Sequence, residues 1–412
     1  MKYFKLIVIL VLSVFSATAQ PKNLNYYINS AQLNSPLLKD YNNQKLANLI
    51  DSLRIQASLK LQVFGNSVNS YSPVFGGWGY DGAITNGANF SQLVVATKQF
   101  LPKANLNNQY ESIRLLNESL NVTGKITTQD IGKAITAQYI TAHGNLEQIG
   151  FNTNLLSLLK KEESLLKTLT EKGVYRQTDY LSFLVTMQQQ EIQIAQTRLQ
   201  FQNDFATLNY LAGINDTSAV NLEAPNLAIL TFAEAEGTVF YQQYRIDSLR
   251  LKNQDAQIDF NYKPKVNAYV DGGYLTSFSE QYYKNFGTSF GLNVILPIYD
   301  GKQRKMQHDK ISISEQTRRT YRDYFKRQYI QQVAQLTQQL KSTQALIDQL
   351  SSQIKYTETL VEANRKLLFT GDVRMADYII AIGNYMNAKN NIRINNTNKL
   401  QIINQINYWN SK

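Results

Sequence analysis

Gly173-Val-Tyr-Arg176-Gln-Thr-Asp179-Tyr180 returns 198 residues later as Gly371-Asp-Val-Arg374-Met-Ala-Asp377-Tyr378, with Gly, Arg, Asp and Tyr in register. The same offset carries Leu208-Asn209-Tyr210 onto Ile406-Asn407-Tyr408. A similar one carries Asn89-Phe90…Leu101-Pro102 onto Asn285-Phe286…Leu296-Pro297. Solenoid proteins repeat every ~20–50 residues, far less than this. A period near 200 residues means one half-structure built twice.

Residues 1–19 read as a secretory signal peptide. Lys2 and Lys5 precede an apolar run from Leu6 to Phe15, and Ala17-Thr-Ala19 supplies small residues for cleavage. No cysteine follows the site, which argues against a lipid anchor. Beyond the signal no apolar run approaches the ~18–20 residues of a membrane-spanning helix. Two options remain: a closed β-barrel, the other way to satisfy backbone groups in lipid, or a soluble envelope or secreted protein. The 412-residue chain has no cysteine, so packing rather than disulfides must hold it. Seven prolines and abundant Gln, Asn and Leu point to long helices with narrow apolar stripes.

The chain divides into a first repeat over 20–213, a linker over 214–231 and a second repeat over 232–412. Strand-like alternation marks 59–70 and 89–101, then 264–276 and 286–296. It is clearest where Phe290, Leu292, Val294 and Leu296 alternate with smaller or more polar neighbours. Each segment is about as long as the ~9–11 residues that cross an outer membrane, although any half-buried sheet shows such alternation. Aromatic residues crowd both strand connections: Trp78 and Tyr80 among glycines that include Gly82, then Tyr282 and Tyr283. That suits an interfacial girdle; packed surface loops account for either connection alone but less easily for both.

Pro102 and Pro297 end the strand pairs, and each opens about seventy residues without proline. Apolar residues recur there at near-heptad spacing, for example Leu155, Leu159 and Leu166, then Leu346, Leu350 and Ile354. Polar residues such as Glu162 and Thr357 interrupt the seam. Gly173 and Gly371 stop the two long helices, with tips near 170–179 and 368–377, and returning helices follow over 178–211 and 376–408. Asp179 and Asp377 fall in the first turn of the returning helices, where the helix dipole favours negative charge. Shorter helices, about 35–56 and 232–260, lead into the strand pairs. Four strands per chain are too few to close around a pore, for which ~8 is the smallest usual number. Three chains would supply twelve.

The net charge of +11 is concentrated: nine Lys or Arg lie between Gly301 and Ile330, against Asp309, Glu315 and Asp323. This basic stretch reads as a solvated helix face, an anionic-lipid contact or an anionic-solute contact; export argues against nucleic acid. No enzyme signal stands out. Gly287-Thr-Ser289-Phe-Gly291 fits G-x-S-x-G but sits in an alternating strand rather than at a strand-to-helix elbow. The two histidines, His143 and His308, are far apart, and no metal or cofactor motif is present.

Leu296-Pro297-Ile-Tyr299-Asp300-Gly301-Lys-Gln-Arg304 resembles the barrel-to-helix junction of the TolC family of outer-membrane factors. Gly173…Asp179 and Gly371…Asp377 resemble that family's two hairpin tips. The resemblance spans essentially the whole mature chain. It implies a mainly α fold with a small β part, an α-barrel joined to a β-barrel. Each chain would carry two structural repeats and give four strands to a trimeric 12-stranded barrel. The implied function is the exit duct of a tripartite efflux pump or type I secretion system in a Gram-negative outer membrane, with a large periplasmic part. Its implied partners are two further copies, a periplasmic adaptor, an inner-membrane transporter of RND, ABC or MFS type, and outer-membrane lipid. No cofactor is implied. Asp377, Asp179, Arg374 and Arg176 take the places of entrance-gate residues, with arginine-to-Asp179 ties holding neighbouring hairpins. Gly173 and Gly371 form the tips where an adaptor docks; Pro102, Pro297, Asp300 and Gly301 form the junctions. A periplasmic adaptor, with a single long hairpin inside β-rich domains, and an envelope hydrolase are the rival classes.

Overall fold

The computed structural model describes residues 22–79, 87–216, 220–277 and 282–411. The signal peptide lies outside the described residues, as do Tyr80 and Gly82 of the first strand connection. In chain order the elements are α1 (Leu24–Asn34), α2 (Pro36–Ser58), β1 (Gln62–Ser72), β2 (Gly87–Phe100), α3 (Lys103–Glu171) and α4 (Gln177–Leu211). Then come α5 (Val239–Asn261), β3 (Lys265–Thr276), β4 (Phe286–Ile295), α6 (Gln303–Thr370) and α7 (Met375–Trp409). Helix α1 had no counterpart in the sequence reading. Helix α5 begins seven residues later than the pattern suggested, after a turn of 3-10 helix at Ala235–Gly237.

The two compact units cut across the two repeats. One holds the described residues up to Lys39, Gly124–Val239 and those from Phe325 on; the other holds Asp40–Thr123 and Phe240–Tyr324. Each repeat contributes to both, because its strands pair with the other repeat's strands while its helix ends pack with the other repeat's helix ends.

In the strand-bearing unit the order is β1-β2-β3-β4 and every pair is antiparallel. Directly opposed residues share a face, and neighbours along a strand alternate between faces. The register sets Val63, Ala96, Val270 and Phe290 in one row across all four strands. Lys98, Ala268 and Leu292 form the next row on that face, then Phe100, Val266 and Val294. The opposite face carries Asn267 against Asn293, and Asp271 accepts a hydrogen bond from Ser289 Oγ at 2.8 Å. Phe290 and Leu292 are 87% and 71% exposed, so no element among the described residues covers the apolar face there. Strands β1 and β4 are both uncovered edges.

In the tip-bearing unit, the sequence repeat around Asn209 and Asn407 acquires a physical reason. Asn209 Nδ2 donates to the Asp216 carbonyl, and Asn407 spans the Ala228 carbonyl and the Leu230 amide, both at 2.8 Å. Each copy straps one end of the linker. The hydroxyl of Tyr139, with its pKa pushed up to about 12 mainly by burial, lies 3.0 Å from the Lys22 carbonyl and 2.7 Å from that of Glu223. Helix α1 seals this region. Asn23 caps it by accepting from the Tyr26 amide at 3.0 Å, and the fully buried Tyr27 packs with Tyr139 and Phe205. Ser35 ends α1, and its Oγ accepts from Leu38 N (3.4 Å) to open α2, with Pro36 in the first helical position.

Candidate functional site

Both long helices end the same way. Val174 N donates to Leu169 O at 2.9 Å and Gly173 N to Thr170 O at 2.9 Å; Asp372 N donates to Leu367 O at 3.0 Å and Gly371 N to Leu368 O at 3.4 Å. Both glycines sit at φ 79°, the left-handed conformation that this helix termination requires. The tips touch each other: a Cβ added to Gly371 would lie 3.0 Å from Val174 Cγ1.

The duplicated acids behave differently. Asp179 accepts from the backbone N of Arg176 at 3.3 Å, reaching back across the first turn of α4. Asp377 is held by the side chain of Arg374, with Nε and Nη2 each at 2.9 Å. The proposed tie from Arg374 to Asp179 is therefore not made within the chain. Arg374 caps α7 one turn before Asp377, and that spacing gives its guanidinium a nearer carboxylate. The side chain of Arg374 is 83% exposed, so the pair is a surface one.

The contacts that join the two hairpins are others. Tyr175 places its hydroxyl 2.9 Å from the carbonyl of Leu368 and 3.1 Å from that of Val373, so the first tip caps the second helix end. Tyr378 Oη donates to Glu162 Oε2 across the hairpins, and Arg365 Nε stands 2.6 Å from Glu162 Oε1. Glu162 is 3% exposed and Tyr378 is fully buried, in a cluster with Leu159, Leu166, Phe183, Leu368 and Ile382. Burial, then the bond to Glu162, pushes the Tyr378 phenol well above its usual range, so it remains a donor. Its repeat counterpart Tyr180 stays within its own hairpin, donating to Glu163 at 3.2 Å. Glu162 was visible in sequence only as a break in an apolar seam. The repeated tyrosine was the one signal of the clasp, and it did not reveal the partner.

At the strand-to-helix junctions the two copies diverge. Helix α3 starts directly after Pro102, whose carbonyl accepts from Asn105 N and Leu106 N. Helix α6 starts only after a turn in which Gly301 has φ 63° and Asp300 accepts from Lys302 N at 2.9 Å and Arg304 N at 2.6 Å. The Arg304 amide, then the Tyr262 hydroxyl, holds the Asp300 carboxyl below its usual range. One turn further, Arg304 pairs with Asp259 at 2.6 Å, and His308 sits between Asp255 (2.6 Å) and Asp259 (3.1 Å).

The basic stretch is less free than its composition suggests. The Arg318 side chain is 10% exposed, paired with Glu315 at 2.7 Å and donating to Tyr244 O at 3.0 Å. Glu315 is held down to about 2, first by Arg318 and also by Arg319. Arg322 meets Asp323, and Lys326 meets Glu236. Lys302, Lys305, Lys310 and Arg327 are exposed and make no ion pair among the described residues. Ser289 lies mid-strand in β4 with its hydroxyl on Asp271, without the elbow that a nucleophile of the G-x-S-x-G type requires.

The sheet with two open edges, the two long helices and the touching glycine tips belong to a fold that solved outer-membrane channels share. The chain is similar to CusC, described for its transmembrane channel formation, at a TM-score of 0.74 and 12% identity, covering 95% of this chain and 93% of that one. It is likewise similar to the outer membrane protein VceC of Vibrio cholerae, with TM-score 0.72, 14% identity and coverage of 94% and 96%. The open state of the MtrE outer membrane channel of Neisseria gonorrhoeae gives 0.69, 12%, 94% and 89%. No protein-family model matches the sequence, and no curated protein does either. At these identities the likeness is one of fold.

Proposed function

We propose that this protein is a trimeric outer-membrane channel-tunnel, the exit duct of a tripartite efflux pump or type I secretion system. The observation that carries the reading is the sheet: an apolar row from Val63 to Phe290 crosses four strands, exposed at Val63, Val270 and Phe290, and the two edge strands have no further partner strand among the described residues. Such a surface is a liability in water, and in lipid it is satisfied only by closure into a barrel. Three chains give twelve strands, within the range of outer-membrane barrels. The fold neighbours support the reading, since CusC forms a transmembrane channel and MtrE is an outer membrane channel.

In this reading the tips at Gly173 and Gly371 form the periplasmic entrance and adaptor-docking end. The inner-membrane transporter supplies cargo through that adaptor. Asp377 and Arg374, Asp179 and Arg176 would be repeated by threefold symmetry around the axis, and the Tyr378–Glu162–Arg365 clasp would hold each chain's hairpins together in the closed state. The protein has no catalytic role of its own in this reading.

Detergent extraction of outer membranes followed by mass measurement tests the assembly. The expected particle contains three chains and conducts ions in a planar bilayer. A monodisperse single chain that inserts and conducts would overturn the proposal.

A further inference from the structure

The two ends of the sheet differ in charge. Helices α2, α3, α5 and α6 join the strands at one end, and there Lys60, Lys98, Lys103 and Lys263 lie at or near the ends of β1, β2 and β3, all exposed. None of the four pairs with a carboxylate among the described residues; the paired lysines, Lys160 and Lys326, are elsewhere. Two of them rest by aromatic rings instead, Lys98 Nζ at 5.8 Å from Phe100 and Lys263 Nζ at 4.6 Å from Phe260. Asp259 and Asp300, also at this end, are already engaged, the first by Arg304 and His308 and the second by the amides of Lys302 and Arg304. At the opposite end Lys284 is the one cation among the described residues.

Lys98 marks where the apolar face stops. It shares that face with Ala96 and Phe100 and is the only charged residue the four strands place there. At the far end of the same face stand Tyr71, Phe90, Tyr274 and Phe286, with the Phe90 and Tyr274 rings 5.9 Å apart. From Phe90 to Lys98 along β2 is about 27 Å at ~3.4 Å per residue, or ~21 Å along the membrane normal at a strand tilt of ~40°. An outer-membrane barrel presents an apolar band ~25 Å tall between its aromatic girdles. Lys98 therefore falls a few Å inside the band's margin, a gap its stem spans while the ammonium reaches the headgroup layer. Leu61, Leu296 and Ile298 add exposed apolar surface at the same end.

An apolar face that ends in unpaired cations is complementary to an anionic lipid in both its parts. Acyl chains cover the face, and the phosphate meets the ammonium groups. We propose that the helix-side end of the sheet is a binding surface for anionic phospholipid, whose headgroups sit on Lys98 and on Lys60, Lys103 and Lys263 of the adjacent strand ends. The inference rests on the channel reading, which turns this end toward the periplasmic leaflet. Lysines near an anionic membrane surface each add to the attraction, and here no carboxylate competes for them.

The test is native mass spectrometry of the detergent-solubilised full-length protein with an equimolar mixture of phosphatidylglycerol and phosphatidylcholine of matched acyl chains. Phosphatidylglycerol is expected to be retained in preference by about tenfold or more, the effect of two lysines acting together. Raising the salt should erode that preference. Lys98→Gln alone should lose part of it, and Lys60→Gln, Lys98→Gln, Lys103→Gln and Lys263→Gln together should bring the ratio near one. The control removes the same charge from exposed positions of the tip-bearing unit: Lys161→Gln, Lys167→Gln, Lys355→Gln and Lys366→Gln together should leave the preference as in wild type. Equal retention of the two lipids, a preference unchanged in the first set, or the same loss in both sets would overturn the proposal. Failure to retain either lipid on an intact assembly would mean that a second copy covers this end, and would overturn it too. The same spectrum counts the chains, so a single chain that still prefers phosphatidylglycerol would refute the trimer and leave the lipid surface standing.

Discussion

If the tips form the entrance of the proposed channel, Tyr378→Phe should loosen it. The substitution leaves the ring in its buried cluster and removes only the hydroxyl that donates to Glu162 across the hairpins. A hydrogen bond to a charged group contributes about 1.5–3 kcal/mol. Glu162 is buried, but Arg365 at 2.6 Å still pairs with it and is itself 43% exposed, so the full penalty of an orphaned charge does not follow. About 2 kcal/mol is the reasoned loss, equivalent to roughly 30-fold in a two-state ratio. In planar bilayers the open fraction of the purified channel should rise accordingly. Tyr180→Phe is the matched control: it deletes a repeat-equivalent hydroxyl whose partner, Glu163, lies in the same hairpin. A thermal-unfolding cycle of Tyr378→Phe with Glu162→Gln should show coupling above about 1 kcal/mol. If Tyr378→Phe and Tyr180→Phe open the channel equally, or the cycle is additive, the clasp is packing alone and the argument fails.

At the tip, Asp377→Asn should weaken block by divalent or trivalent cations without a large fall in melting temperature, because its pair with Arg374 is exposed; block equal to wild type would remove Asp377 from the pore. Arg318→Gln should cost roughly 1–2 kcal/mol in unfolding experiments and leave ion selectivity alone, whereas combined Lys302, Lys305 and Lys310→Gln should shift the reversal potential in a salt gradient toward cations. The opposite pattern would mean that Arg318, rather than the exposed lysines, sets the selectivity. His308 has a raised pKa, chiefly from its bond to Asp255, with Asp259 adding to it and Arg304 sharing that second carboxylate. A raised native pKa means stabilisation fully present below the unfolded value of about 6.5 and lost as pH rises through the native one. The melting temperature should therefore fall over that interval in wild type and stay flatter in His308→Gln; identical pH profiles would discount the cluster.

The elements legible in the sequence are those whose cause is local. Each tip is written by a glycine that must turn left-handed and an acid one turn into the next helix. Each strand pair is written by alternation and closed by a proline. What escaped was decided by distant partners. Helix α1 is short, and what anchors it is Tyr27 in a pocket made by Tyr139 and Phe205, more than a hundred residues away. Glu162 looked like a flaw in an apolar seam, yet its neighbours are Arg365 and Tyr378 on the other hairpin. The basic stretch looked like a uniform charged face, whereas Arg318 turns inward onto Glu315 and the carbonyl of Tyr244 in α5. Composition counts charges without saying which are spent.

The antiparallel order β1-β2-β3-β4 has a consequence for how such a barrel comes into being. Because the chain contributes an even number of strands, β1 and β4 run in opposite directions. Wherever β4 of one copy meets β1 of the next, the seam is antiparallel like every pair inside the chain. The ring has no special joint, and each copy carries both halves of the same seam. No copy, however, can complete its own hydrogen bonds before its neighbours arrive. In the proposed trimer, membrane insertion and oligomerisation would therefore be one event whose rate and yield depend on chain concentration, and a chain delivered alone would be a pair of adhesive edges awaiting the wrong partner.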